Sequence, residues 1–170
     1  MSHRTERTFE NIPVGPVGFI PIIGCQELGK KVDDYLVKWR KESDSVLKNN
    51  SAFPEYSKES FIVDAKVPRF GSGEAKGIIN ESVRGKDIFI MVDVCNYSLT
   101  YSLSGNINRM SPDDHFQNLK RVIAAIGGKA RRVNVIMPFL YESRQHKRSS
   151  RESLDCALAL QELVRMGVDN

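Results

Sequence analysis

The stretch RRVNVIMPFLYESRQHKRSSRE, residues 131–152, runs from an apolar strand into a cationic loop and on toward a helix. Val133, Val135, Ile136 and Met137 form the short apolar run of an interior strand covered on both faces. Pro138 ends it. Beyond, Arg144, Lys147, Arg148 and Arg151 crowd together, with Gln145 and His146 between them. Ser149, Ser150 and Glu152 lead into a helix predicted from about residue 150 to 166. Its apolar positions are Leu154, Ala157, Leu158, Leu160, Leu163 and Val164, and Gly167 closes it. In an open α/β sheet, ligands bind outside the carboxyl ends of the strands. A cationic loop there, opening onto a helix N-terminus, suits a phosphorylated ligand. A solvated surface loop of ordinary basic residues has the same composition.

Moving upstream, Ser111 is a fitting N-cap, with Pro112 at the first helical position and Asp113 and Asp114 at the positive end of the dipole. Phe116, Leu119, Val122, Ile123 and Ile126 make the buried face of this helix, Gly127–Gly128 stops it, and His115 is assigned to its surface. Residues 96–110 read as a polar loop. DIFIMVDV, residues 87–94, is the strongest strand signal in the chain. Asp93 at its end either touches a ligand or caps a loop. Residues 81–85, ESVRG, form a tight polar turn. Residues 77–80 and 61–65 read as strands separated by a glycine-rich turn. GFIPIIG, residues 18–24, is a strand whose Pro21 argues for an edge or irregular position. A helix follows from about residue 26 to 42, with Leu28, Val32, Tyr35, Leu36 and Trp39 as its apolar stripe. Residues 43–60 read as a surface loop, and residues 1–16 as an irregular arm before a single α/β domain, 17–170. Strands alternating with helices predict a mostly parallel sheet flanked by helices.

The 170 residues fit one domain, and 41% hydrophobic with 27% charged residues excludes a disordered chain. Net charge is only +4. Between residues 131 and 151 there are six cations against the single anion Glu142. Charge this local favours a small anionic ligand over a nucleic acid. Phe139 and Tyr141 alone give no stacking platform for single strands. Cys25, Cys95 and Cys156 are far apart and odd in number, which suggests buried free thiols in a reducing, cytoplasmic setting. No metal site is read from the sequence. The first residues lack the apolar centre of a signal peptide, and no run reaches membrane length.

Taken in order, RFGSGE (residues 69–74), ESVRG (81–85), the strand VNVIMPF, the Arg144-Gln145 pair and Ser150-Arg151-Glu152 resemble the N-terminal half of the ribose-phosphate diphosphokinase family, the phosphoribosyl pyrophosphate synthases. The resemblance covers about residues 60–170. It implies the N-terminal half of a phosphoribosyltransferase-like fold. It also implies transfer of the β,γ-diphosphoryl group of Mg-ATP to ribose 5-phosphate, with release of AMP. In this family the nucleotide lies between the Arg-Gln loop of one subunit and the Phe/Glu turn of a neighbour, so the resemblance implies a homo-oligomer. On these terms Arg144 and Gln145 hold the nucleotide and Lys147 and Arg148 sit near its phosphates. Phe70 stacks on adenine, Glu74 contacts the base, and Ser82 and Arg84 line a regulatory phosphate or ADP site.

His146 stands where the family usually has aspartate, Ser72 where it has Asp or Asn, and the cationic loop is one residue short. On its own, His146 reads as a metal ligand or proton carrier, or as a solvated loop residue. The ribose-phosphate loop and the metal ligands of the family belong to a C-terminal half, so this chain alone is expected to be inactive in synthesis. A non-catalytic nucleotide-binding or synthase-associated regulator of the same fold is the alternative. Phosphoryl transfer asks mainly for positioning and positive charge, and arginine forks suit both base and phosphate.

Overall fold

The structure is a computed structural model, described here for residues 13–42 and 57–170. Three parallel strands form its centre in the order β1 (Val17–Pro21), β4 (Asp87–Met91), β7 (Arg132–Ile136). The register runs Val17–Asp87–Arg132 at one end to Pro21–Met91–Ile136 at the other. Period-two alternation in β4 sends Ile88 and Ile90 to one face and Phe89 and Met91 to the other. The first face carries the larger core. There α2 (Pro112–Ile126) packs through Phe116, Leu119, Val122, Ile123 and Ile126, and α3 (Asp155–Arg165) through Ala159 and Leu163. On the second face α1 (Gln26–Glu42) covers Phe19 and Met91.

The residues that α1 buries differ from the predicted stripe. Leu28, Tyr35 and Trp39 are exposed, while Gly29 and Asp33 are buried and Val32, Leu36 and Val37 half-buried. Two contacts set this phase. A Cβ on Gly29 would overlap the Pro21 ring, so only glycine lets the helix lie this close to β1. Asp33 is wholly buried and accepts the Phe61 backbone N–H at 2.7 Å and the Ser60 hydroxyl at 2.8 Å. Those hydrogen bonds tie α1 to residues 60–63. These in turn run beside β1 through a parallel bridge, Phe19 to Ile62. Only a two-stranded antiparallel pair, β2 (Ala65–Lys66) with β3 (Ile78–Ile79), forms in the region read as two longer strands.

Residues 96–110 are not simply a loop. They contain an antiparallel hairpin, β5 (Thr100–Leu103) with β6 (Asn106–Arg109), turning at Ser104-Gly105, both at positive φ. The alternation of Tyr101 and Leu103 with Thr100 and Ser102, followed by Ser-Gly, carried that signal. α2 starts as predicted. Ser111 Oγ accepts the Asp114 N–H, and Asp114 returns the bond to the Ser111 N–H, a complete capping box.

His115 is wholly buried rather than on the surface; its Nε2 lies 2.8 Å from the Asn96 carbonyl oxygen. α3 starts at Asp155, not near residue 150. Glu152 accepts the Ser149 N–H and the Ser149 and Ser150 hydroxyls, which holds 149–152 in a local loop instead of a cap. Its Leu158, Leu160 and Val164 are exposed. β7 is not covered on both faces throughout: Ile136 is exposed. Beyond its outer edge, Asp169 N–H donates to the Val133 carbonyl and Asn170 O accepts the Val135 N–H. Cys25 and Cys156 are buried and Cys95 half-buried, all as free thiols.

The arm read at residues 1–16 and the loop at 43–60 fall largely outside the described residues. Pro13–Pro16 lie at the sheet entrance, where the Pro16 carbonyl accepts the Asp87 N–H. No helix among the described residues is long and apolar enough to cross a membrane.

Candidate functional site

A groove of about 200 Å³ opens where β4 and β7 end. The loop after β4 supplies Val94, Cys95 and Tyr97, and Pro112 comes from the start of α2. Phe139, Tyr141, Glu142, Ser143 and Arg144 come from the loop after β7. The position is the one an open parallel sheet leaves for ligands. Asp93 does not face the groove as a free carboxylate; its Oδ1 accepts the Cys95 N–H and so caps the strand end.

Tyr141 anchors the cationic loop. Its ring stacks on Phe116 with centroids 4.2 Å apart and planes 8° off parallel, and its hydroxyl donates to Asp113 at 2.7 Å. Burial, the Asp113 hydrogen bond and nearby carboxylates push its phenol well above the usual range, so it stays a donor. Glu142 then takes positive φ, and its carbonyl accepts the Gln145 N–H. The His146 ring Nδ1 lies 2.9 Å from the Ser143 carbonyl oxygen. The Gln145 carbonyl accepts the Cys156 N–H at 3.3 Å. One of the free amides at the start of α3 is therefore already used, and Asp155 adds a negative charge there. The expected opening of this loop onto a helix N-terminus is thus filled by the protein itself. Arg144, in the groove wall, and Lys147, Arg148 and Arg151 further along the loop make no side-chain hydrogen bond or ion pair within the described residues, which leaves four cationic groups available on this loop.

The Phe70–Glu74 turn stands elsewhere. Phe70 N–H donates to the Glu74 carbonyl and Gly73 N–H to the Phe70 carbonyl. Ser72 Oγ donates to Glu74 Oε2 at 2.9 Å. Phe70 is 49% exposed, with Lys76 Nζ 5.9 Å from its ring centroid. No hydrogen bond or ion pair joins this turn to residues 144–148 among the described residues. Both are fastened to the start of α2, the turn by Arg69 on Asp114 at 3.1 Å and the loop by Tyr141 on Asp113.

Ser82 and Arg84 lie at the opposite end of the sheet, just before β4. Ser82 Oγ accepts the Arg84 N–H at 3.4 Å, and both side chains are exposed. Gly85 N–H donates to the Lys129 carbonyl, which ties the turn to the residues entering β7. Glu81 is paired with Lys86 at 2.7 Å. Among the described residues no group of three or more His, Cys, Asp or Glu side chains is gathered closely enough to hold a metal ion.

Two residues near the site escaped sequence reasoning. In sequence Arg69 is no more than a turn residue, and His115 looks like a surface one. A histidine on the buried side of an amphipathic helix, one position before Phe116, was the available signal for the second.

A parallel sheet with helices on both faces and a basic loop at its carboxyl edge defines an open α/β domain with its groove in the usual place. Residues 22–167 match the family described as the N-terminal domain of ribose phosphate pyrophosphokinase, and the chain belongs to that family. Ribose-phosphate pyrophosphokinase B of Dictyostelium discoideum is 30% identical over 131 residues, 73% of this chain and 36% of that protein. Ribose-phosphate pyrophosphokinase 1 of Schizosaccharomyces pombe is 33% identical over 109 residues, 63% of this chain and 23% of that one. The crystal structure of phosphoribosylpyrophosphate synthetase from Mycobacterium smegmatis shares the fold, with a TM-score of 0.65 and 20% identity over 91% of this chain and 40% of that one. The chain thus spans well under half the length of these relatives.

Proposed function

We propose that this domain supplies the ATP-binding residues of a ribose-phosphate pyrophosphokinase. The reaction would pass the β,γ-diphosphoryl group of Mg-ATP to ribose 5-phosphate, giving phosphoribosyl pyrophosphate and AMP. The carrying observation is the groove at the carboxyl edge of β4 and β7 with Arg144 in its wall, followed along the same loop by Lys147, Arg148 and Arg151, which are unpaired. In this reading Arg144 and Gln145 hold the nucleotide, and Lys147 and Arg148 neutralise its phosphates. His146 replaces an aspartate. Phe70, Ser72 and Glu74 clamp the base from a second copy of the chain, and half-exposed Phe70 has the free ring face that stacking needs. Ser82 and Arg84 receive a regulatory phosphate. Ribose 5-phosphate and the magnesium that accompanies ATP are assigned to the part of the relatives that this chain does not match, so the 170 residues by themselves make no product.

Arg144→Ala tests the nucleotide assignment. Calorimetry on the full protein should show ATP bound about tenfold or more weakly, as loss of charged hydrogen bonds implies. Equal affinity for parent and variant would remove Arg144 from the site. The second reading is a nucleotide-binding regulator of the same fold, favoured by His146 in place of the family aspartate. Assay of the full protein separates the two: ATP binding without phosphoribosyl pyrophosphate synthesis selects the regulator.

A further inference from the structure

We infer that the β5–β6 hairpin is the brace of the Phe70–Glu74 turn, with Arg69 as the positioning residue that joins them. Through this contact the hairpin sets affinity for the base rather than for the phosphates. The inference rests on the proposed role of that turn against adenine.

Three separate pieces of chain converge on the Arg69 guanidinium. Nη1 donates to the Gly73 carbonyl at 2.7 Å, which closes the turn from inside. The same nitrogen reaches Asp114 Oδ1 at 3.1 Å, while Asp114 Oδ2 completes the capping box of α2. The plane lies over Tyr101 of β5, 4.1 Å from the ring centroid. The side chain is only 13% exposed. A planar fork suits this junction, since it can donate in its plane and stack on its face at once.

Leu103, two residues along β5 on the same side as Tyr101, provides a second contact. It backs Gly73, where a Cβ would lie 3.2 Å from Leu103 Cδ1. The turn is therefore held on its inner side by the hairpin and by α2, while Phe70, Ser72 and Glu74 face outward. Among the described residues no hydrogen bond or ion pair joins the hairpin to residues 144–148, where the phosphates are assigned. Loosening it should misplace the base clamp and leave the cationic loop as it is. Displacements of about an ångström are enough to spoil a positioned group.

The test compares ATP with inorganic tripolyphosphate, which has the phosphates and no base, by calorimetry on the full protein. Tyr101→Ala combined with Leu103→Ala should weaken ATP about fivefold or more and leave tripolyphosphate unchanged. Tyr101→Phe, which keeps the ring face, should bind both like the parent. If the double variant does not fold, Leu103→Ala alone carries the comparison with the same expected direction. Phe70→Ala is the control for the underlying reading. If Phe70→Ala weakens ATP and the hairpin variants do not, the brace is overturned and the clamp stands. If Phe70→Ala has no effect, the clamp reading itself fails. Equal loss of ATP and tripolyphosphate in the hairpin variants also overturns the inference, because the damage would then be general.

Discussion

Asp87 sits at the entrance of β4, nearly out of water, and is satisfied from three directions. Arg132 donates through Nε at 2.9 Å and Nη2 at 2.6 Å, and Asn134 Nδ2 donates at 2.8 Å. Burial alone would raise its pKa, but the hydrogen bonds from Arg132 and Asn134 outweigh that and hold the carboxyl below its ordinary 3.8. A carboxylate with a depressed folded-state value stabilises fully above the unfolded value, and the contribution is lost as pH falls through the folded one. Asp87→Asn should therefore lower unfolding free energy by about 2 kcal/mol at neutral pH and flatten the loss of stability below pH 4. Urea melts at several pH values check this, and an unchanged acid limb would exclude Asp87 as its source. At this scale the sequence was only partly readable. That Arg144 stands at the carboxyl end of β7 followed from its place in the chain after the apolar run 133–137. His115, Asp33 and Arg69 could not be placed so, because each takes its meaning from a partner at least 19 positions away.

Among the elements, α2 was the most legible, since cap, first-turn acids, apolar face and terminating glycine all agreed. α1 was not, because its stripe can be drawn two ways and the choice depends on Gly29 meeting Pro21. The hairpin was missed because its strands are short and polar, and α3 started late because Ser149, Ser150 and Glu152 bond one another. The energetics of α2 give a rank order. Ser111→Ala removes the hydroxyl that accepts the Asp114 N–H and should cost about 1 kcal/mol. Gly77→Ala puts a methyl into the Arg121 carbonyl of α2 and forces the helix off β3. It should cost more, about 2–3 kcal/mol. Thermal melts of both variants check the order; a Gly77→Ala protein as stable as the parent would show that α2 slides freely on the sheet.

For the whole molecule, the α/β class and its parallel centre followed from the alternation of elements. That the Phe70–Glu74 turn and the 144–148 loop belong to different subunits' halves of one site is implied by the family resemblance alone; no periodicity or composition signals it, and among the described residues no hydrogen bond or ion pair joins the two. The prediction at this scale is subunit complementation. Full-length Phe70→Ala and Arg144→Ala proteins should each bind ATP weakly. An exchanged equal mixture should recover about a quarter of the sites, those pairing an intact loop with an intact turn. No recovery, or a strict monomer by light scattering at high concentration, would place the site within one chain.

The opposed ends of the sheet carry one more consequence. Arg84 precedes β4 and Arg144 follows β7, so a five-residue strand length, about 16 Å, stands between their backbones. That exceeds the roughly 8 Å over which exposed charges sense each other in physiological salt. If the sites proposed at Arg84 and at Arg144 both hold anions, the two can be filled together with little repulsion. Any influence of one on the other has to travel as movement of β4 and the loops it carries, not as a field.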